Sequence, residues 1–163
     1  ASIPIIMGTT PSVKNEVDAA IADTTAADVG VSTRTNGYGT PISVSKDTAL
    51  DPAVGMDVQK YGRSSARTYG YIDAINATIN VAYDEGDARF IKQMIIKTDT
   101  AKSTRNFSSA GDSGALIVAS GGADDRKAVG LLFASGSIGE EHITVANPIK
   151  KVLELLDVKI DGE

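Results

Sequence analysis

The chain has 163 residues, 42% of them hydrophobic and 23% charged, and a formal net charge of −5 at neutral pH. That length suffices for one domain with a real core, and an acidic chain with scattered bases argues against a nucleic-acid or anionic-membrane surface. There is no cysteine and a single histidine, His142, which excludes disulfides and thiolate nucleophiles and speaks against a zinc centre.

The first residues, ASIPIIMGTTPSVKNE, lack the basic start and long apolar stretch of a secretory signal. No apolar run reaches the roughly 18 residues that span a bilayer. A cysteine-free composition suits reducing and secreted environments alike, so it assigns no compartment. In VKNEVDAAIA (13–22), Val13, Val17, Ala20 and Ile21 have helical spacing, and on periodicity alone a helix is expected there. Residues 23–41 are small and polar and read as a connection between two bodies.

Strand patterns dominate the rest. In YIDAINATINVAY, Tyr71, Ile75, Ala77, Ile79, Val81 and Tyr83 fall on one face, broken only by Asp73. DEGDAR (84–89) reads as a solvated turn, and FIKQMIIK (90–97) alternates less cleanly. ALIVA (115–119), AVGLLFA (128–134) and HITVA (142–146) are continuous apolar runs of the kind buried on both sides, with a hairpin connection at 120–127. One helix closes the chain over 147–157: Asn147 as N-cap, Pro148 at the first helical position, then the stripe Ile149, Val152, Leu153, Leu156. Mostly strands with one terminal helix predict an all-β barrel or sandwich.

Chemistry is concentrated in FSSAGDSGALIV, where Gly111-Asp112-Ser113-Gly114 precedes a short apolar run. A serine nucleophile needs a base, a partner to orient the base and donors for an oxyanion. Gly111 lets the backbone turn so that its N–H and that of Ser113 face one small space, and Gly114 leaves room beside the hydroxyl. Asp112 is no base for the adjacent serine, because neighbouring side chains on a turn diverge. It is expected to hold the loop instead. The same four residues are all turn formers, so a plain tight turn is the structural alternative.

FSSAGDSGALIV resembles the nucleophile segment of chymotrypsin-like serine peptidases of bacterial type. AVGLLFASG resembles the following strand, whose edge docks substrate, and ANPIKKVLELLDV the C-terminal helix. VQKYGRSSARTYGYI is similar to the strand–turn–strand that opens the second barrel, and NEVDAAIA to the segment carrying the triad aspartate, here Asp18. In that family the aspartate stands roughly ninety residues before the serine, and Asp18 stands 95 before Ser113. The family's histidine, roughly forty-five residues earlier still, would lie upstream of residue 1.

The resemblance implies the second six-stranded Greek-key barrel of a double-barrel peptidase. Residues 1–22 would be late strands of the first barrel, replacing the helix expected over 13–22. Residues 1–41 would hold those strands and the interdomain connection, and 42–163 the second barrel with its helix. It implies a serine endopeptidase acting at Ser113, with Asp18 orienting the upstream histidine and the amides of Gly111 and Ser113 as oxyanion hole. Phe107, Phe133, Ala134 and Ser135 would form a substrate pocket for apolar side chains. No cofactor and no metal is implied. The implied partners are a polypeptide substrate and the chain's own N-terminal fragment or a second copy, with no nucleic acid or membrane. His142 is expected as a strand-edge histidine beside Glu140 and Glu141. Two rival readings are a peptide-binding barrel without a base and a structural barrel in which Ser113 is inert.

Overall fold

The computed structural model describes residues 1–25 and 28–163. Six strands, β1 (Asp57–Gly62), β2 (Ala66–Tyr83), β3 (Gly86–Thr98), β4 (Leu116–Ala119), β5 (Ala128–Ile138) and β6 (Glu141–Pro148), precede one helix, α1 (Ile149–Leu156). Every neighbouring pair is antiparallel, and the order β1-β2-β3-β6-β5-β4 closes on itself. Closure leaves no edge along the barrel proper, which is how an antiparallel sheet avoids presenting an unpaired template. The expected all-β barrel with a C-terminal helix is the architecture found.

Inward positions pack Val58, Ile72, Met94, Ile96, Phe107 and Ile117 into one fully buried core. The apolar stripe of α1, with Ile149, Val152 and Leu153, packs on Ala128 and on Val17 and Ala19 of the N-terminal segment. That packing pins residues 17–19 to the barrel.

The face assignment for β2 holds only in part. Thr68, Gly70 and Ile72 are buried, whereas Ala77, Ile79, Val81 and Tyr83 form the more protected face further along. The pairing with β3 shifts register between Ile72 and Ile79, and Asn76 and Lys92 adopt left-handed φ values of 56° and 61°. A bulge adds a residue to one strand and reverses which side chains face inward. A sequence with period two on both sides of such a slip shows one continuous pattern.

Residues 13–22 are neither helical nor a regular strand. The segment makes isolated bridges only, Asn15 with Phe90 in parallel and Ala20 with Ser2 antiparallel, and before it Gly8 bridges Ala88 in parallel. Its ladder is interrupted because the Asn15 side chain takes a strand's place: Oδ1 accepts the Ile6 amide at 2.8 Å, and Nδ2 donates to the carbonyls of Ile6 and Arg89. Of the expected connection 23–41, residues 26 and 27 lie outside the described residues. The helix is shorter than the span 147–157, because Asn147 and Pro148 close β6 and the N-cap is Pro148, without a side-chain cap. Among the described residues no helix is long and apolar enough to cross a membrane.

The register slip makes a direct stability prediction. Ile72→Ala should cost about 2–5 kcal/mol in urea unfolding, and Ile75→Ala, at a side chain 37% exposed, less than about 0.5 kcal/mol. Equal costs would mean that the inward face does not change along β2.

Candidate active site

The loop between β3 and β4 carries Phe107 to Gly114, and its shape is set by a buried carboxylate. Asp112 Oδ1 accepts the amides of Ser64 at 2.8 Å and Ser65 at 3.2 Å. Its Oδ2 accepts the Ser65 hydroxyl at 2.5 Å and the Ser109 amide at 3.0 Å. Lys60 Nζ lies 3.1 Å from the same oxygen, both side chains being wholly inaccessible to solvent. Lys60 also donates to Ser65 Oγ and to the Ala66 carbonyl, and sits 6.0 Å above the Phe107 ring. A Cβ at Gly62 would collide with the Asp112 carboxylate, so only glycine leaves room for it.

Burial opposes ionisation of Asp112, but the donors from Ser65, Ser64, Ser109 and Lys60 outweigh it and hold the carboxyl down to about 2. Burial pushes the Lys60 ammonium below the usual lysine range, and its bond to Asp112 offsets only part of that. Asp112 therefore does what the turn geometry predicts: it holds the loop and is no base for Ser113.

The held loop presents Ser113 outward. Ser113 Oγ donates to the Phe133 carbonyl at 3.2 Å. On either side of it, the amides of Asp112 and Gly114 are used by the carbonyls of Ser109 and Leu132. The amides of Gly111 and Ser113 have no acceptor among the described residues and belong to exposed positions. Gly111 has φ +94°, and a Cβ there would lie 2.6 Å from Ser64 Oγ, whose hydroxyl is bonded to the Ala110 carbonyl. The turn that frees these two amides thus requires glycine at 111.

Asp18 reaches the same place from the opposite end of the sequence. Asp18, Tyr83, Ser113, Gly114 and Phe133 line one cavity of about 430 Å³. The Asp18 backbone is clamped by Asn147, whose Oδ1 accepts its amide at 3.0 Å and whose Nδ2 donates to its carbonyl at 2.9 Å. Tyr83 at the tip of β2 donates its hydroxyl to Asp18 Oδ2 at 2.6 Å. Burial, together with that carboxylate, raises the Tyr83 pKa above the ordinary phenol range. Below the cavity Phe90 stacks against Phe133 with 5.0 Å between centroids and against Tyr83 with 6.3 Å.

Only Phe133 of the four expected pocket residues lines this cavity. Phe107 is a core residue, not a pocket wall. Its ring rests against Gly70, its carbonyl accepts the Thr68 hydroxyl at 2.6 Å, and its amide donates to Thr98 Oγ1 at 2.8 Å. Next to it the buried hydroxyls of Ser108 and Thr144 bond to one another at 2.5 Å. Ala134 packs with the cluster of Ile95, Ile143 and Val145, and Ser135 is exposed on β5. His142 pairs across the sheet with Ser137, four residues beyond Phe133, or about 13 Å along a strand. Its Nδ1 is buried without a partner, and burial lowers its pKa.

Three contributors escaped the sequence reading. Lys60 could have been found as a lysine two residues after Val58, on an inward face. Asn147, expected at the helix cap, instead uses its side chain to bind a segment 129 residues away. Nothing local marks Tyr83 as a partner of Asp18.

Comparison with known proteins bears on the fold. The Nal1 C-terminal domain description matches residues 12–154. Among solved structures the chain is similar to chymotrypsin from Cellulomonas bogoriensis, at 17% identity over 76% of this chain and 63% of that one, with a TM-score of 0.51. Protease A from Thermobifida fusca gives 21% identity, 80% and 59% coverage and a TM-score of 0.57. A glutamic acid-specific serine protease, described as using a histidine triad in substrate binding, gives 23%, 78%, 57% and 0.56. At these identities the likeness is one of fold, and the chain spans about three-fifths of the length of each structure. No curated protein matches.

The Asp112 network predicts an acid-sensitive step. A carboxyl held at about 2 in the folded chain, against about 3.9 unfolded, stabilises fully above pH 4. That contribution of about 2 kcal/mol is lost as the pH falls through 4 toward 2. Asp112→Asn should lower stability at pH 7 by about 3–5 kcal/mol, since it leaves Lys60 buried without a counter-charge. It should also flatten the acid limb, both readable by chemical unfolding at several pH values.

Proposed function

The chain belongs to the Nal1 C-terminal domain family, and we propose that it is the nucleophile-bearing barrel of a serine endopeptidase. One observation carries the reading: Ser113 and Asp18, 95 residues apart in sequence, line one cavity, each held there by separate hydrogen bonds. The cavity has room for an imidazole, which would come from a segment preceding residue 1.

In this reading the imidazole takes the Ser113 hydroxyl proton as Oγ attacks the scissile carbonyl carbon. The amides of Gly111 and Ser113 receive the resulting oxyanion, and the imidazolium, facing Asp18, returns the proton to the departing amine. Water then cleaves the acyl ester by the same route. Tyr83 occupies Asp18 Oδ2 and so leaves Oδ1 to orient the imidazole; it is a positioning residue. Beyond Leu131, β4 no longer pairs with β5, so the stretch from Phe133 to Ile138 offers a free edge on which an extended peptide could add as a strand. The exposed Ile6, Met7 and Ile21 give the upstream segment an apolar surface to pack on.

A peptide-binding barrel without catalysis is the second reading, favoured by the bond that Ser113 Oγ makes to a carbonyl rather than to a base. Intact-mass analysis after treatment with a fluorophosphonate separates the two, using the chain joined to its upstream segment. The peptidase reading expects one adduct, mapped to Ser113 and abolished by Ser113→Ala. Asp18→Asn should slow labelling by roughly 10³–10⁴-fold, and Tyr83→Phe by a smaller factor with a shifted pH profile. Absence of an adduct with the upstream segment present would overturn the peptidase reading.

A further inference from the structure

A second cavity, of about 300 Å³, opens between the β1–β2 turn and the loop after β3, lined by Asn36, Arg67, Lys102, Ser103, Thr104 and Arg105, with Ser65 at its back. Among the described residues no carboxylate lines it, although the protein as a whole carries −5. Lys102 is neutralised from outside by Asp57 at 3.2 Å and Asp99 at 2.9 Å. The guanidinium groups of Arg67 and Arg105 have no acidic partner among the described residues.

Arg67 is built to present its charge. Its Nε and Nη2 both donate to Gln59 Oε1, at 3.1 and 2.8 Å, and Nη1 donates to the Gly37 carbonyl at 3.2 Å. Its guanidinium carbon lies 4.9 Å from the Tyr69 ring centre. Gln59 is itself 2% exposed, and its Nε2 donates to Asp125 Oδ1 at 3.3 Å and to the Ala119 carbonyl at 3.4 Å. Three of the five guanidinium N–H groups are thus spent on neutral acceptors and two remain, in a side chain whose rotamer entropy is already lost. The Ser103 hydroxyl accepts the Tyr69 amide at 2.7 Å and retains its own proton to donate.

We propose that this cavity binds the carboxylate side chains of an acidic polypeptide segment. Two guanidinium groups on separate elements, neither paired with an acid among the described residues, match two planar carboxylates. The site adjoins the serine loop directly, because Ser65 lines the cavity and donates to Asp112 at 2.5 Å. As a device for selecting acidic substrates away from the scissile bond it rests on the peptidase reading; as a binding site it does not.

The test is an amide chemical-shift titration of the full chain with an acetylated tri-glutamate peptide, beside tri-glutamine and inorganic phosphate. Saturable shifts confined to Arg67 and residues 102–105 are expected with tri-glutamate and not with tri-glutamine, weakening as salt is added. Arg105→Ala, at an exposed side chain with no partner among the described residues, should weaken binding about tenfold. Arg67→Lys, which keeps the charge and loses the fork, should do the same, and Ser113→Ala should leave binding unchanged. Equal response to tri-glutamine, shifts that never saturate, or binding of phosphate without the peptide would overturn the proposal. Because Ser113→Ala is expected to bind normally, failure here and failure to label Ser113 are separate results.

Discussion

The buried contact between Lys60 and Asp112 is the constraint on which the serine loop depends. Two opposite charges with no solvent access are tolerable only where every remaining donor and acceptor is used. Asp112 meets that demand by drawing in the amides of Ser64, Ser65 and Ser109 and the Ser65 hydroxyl. Those bonds tie the β1–β2 turn to the loop before β4. Gly62 is small because the carboxylate lies over it, and Gly111 is glycine because Ser64 lies beside it. The outward Ser113 and the two unengaged amides are consequences of how this charge is buried.

Asp18 depends on a different set of forces. Val17 and Ala19 are buried against α1 and β5, which fixes the backbone on both sides of it, and Asn147 closes the remaining amide and carbonyl. Its carboxylate is then aimed by Tyr83, which arrives only because β2 extends far enough past the bulge near Asn76 to turn its later residues toward Phe90. Had the register of Thr68, Gly70 and Ile72 continued, Tyr83 would point to the other face. The left-handed Asn76 and Lys92 are thus linked to the position of a carboxylate several residues further along.

The sequence was most legible where a pattern is local. Four continuous features, the runs at 115–119, 128–134 and 142–146 and the stripe on α1, lie in the expected strands and helix. Each reflects burial of consecutive or periodic side chains, which the order of residues along the chain reveals. Legibility failed where one side chain replaces backbone, as Asn15 does opposite Ile6, and where a register slip hides inside period two, as in β2. At the site, the tight turn that exposes Ser113 and needs a left-handed Gly111 is legible because turns have a local grammar. Phe107 packs in the core and not in the expected pocket, since spacing from Ser113 gives a residue's position along the loop and not the side on which its ring packs. Lys60, Tyr83 and Asn147 act across 52, 65 and 129 residues, and no single-sequence pattern encodes such pairs.

The division of labour within the barrel bears on how activity would be controlled. Asp112 is satisfied by Lys60 of the same barrel, so the loop needs nothing to arrive before it adopts its shape. Asp18 is likewise held by Asn147 and Tyr83 without help from any base. On the proposed reading the donors, the nucleophile and the orienting carboxylate are therefore set in advance, in the sense that matters for electrostatic catalysis: little reorganisation would remain for the moment of reaction. On the proposed reading the quantity left to vary is occupancy of the 430 Å³ space between Ser113 and Asp18 by an imidazole. Control by delivery of the base is then a more economical device for this barrel than control by ordering of its loop, because the loop's order is built into the burial of one ion pair.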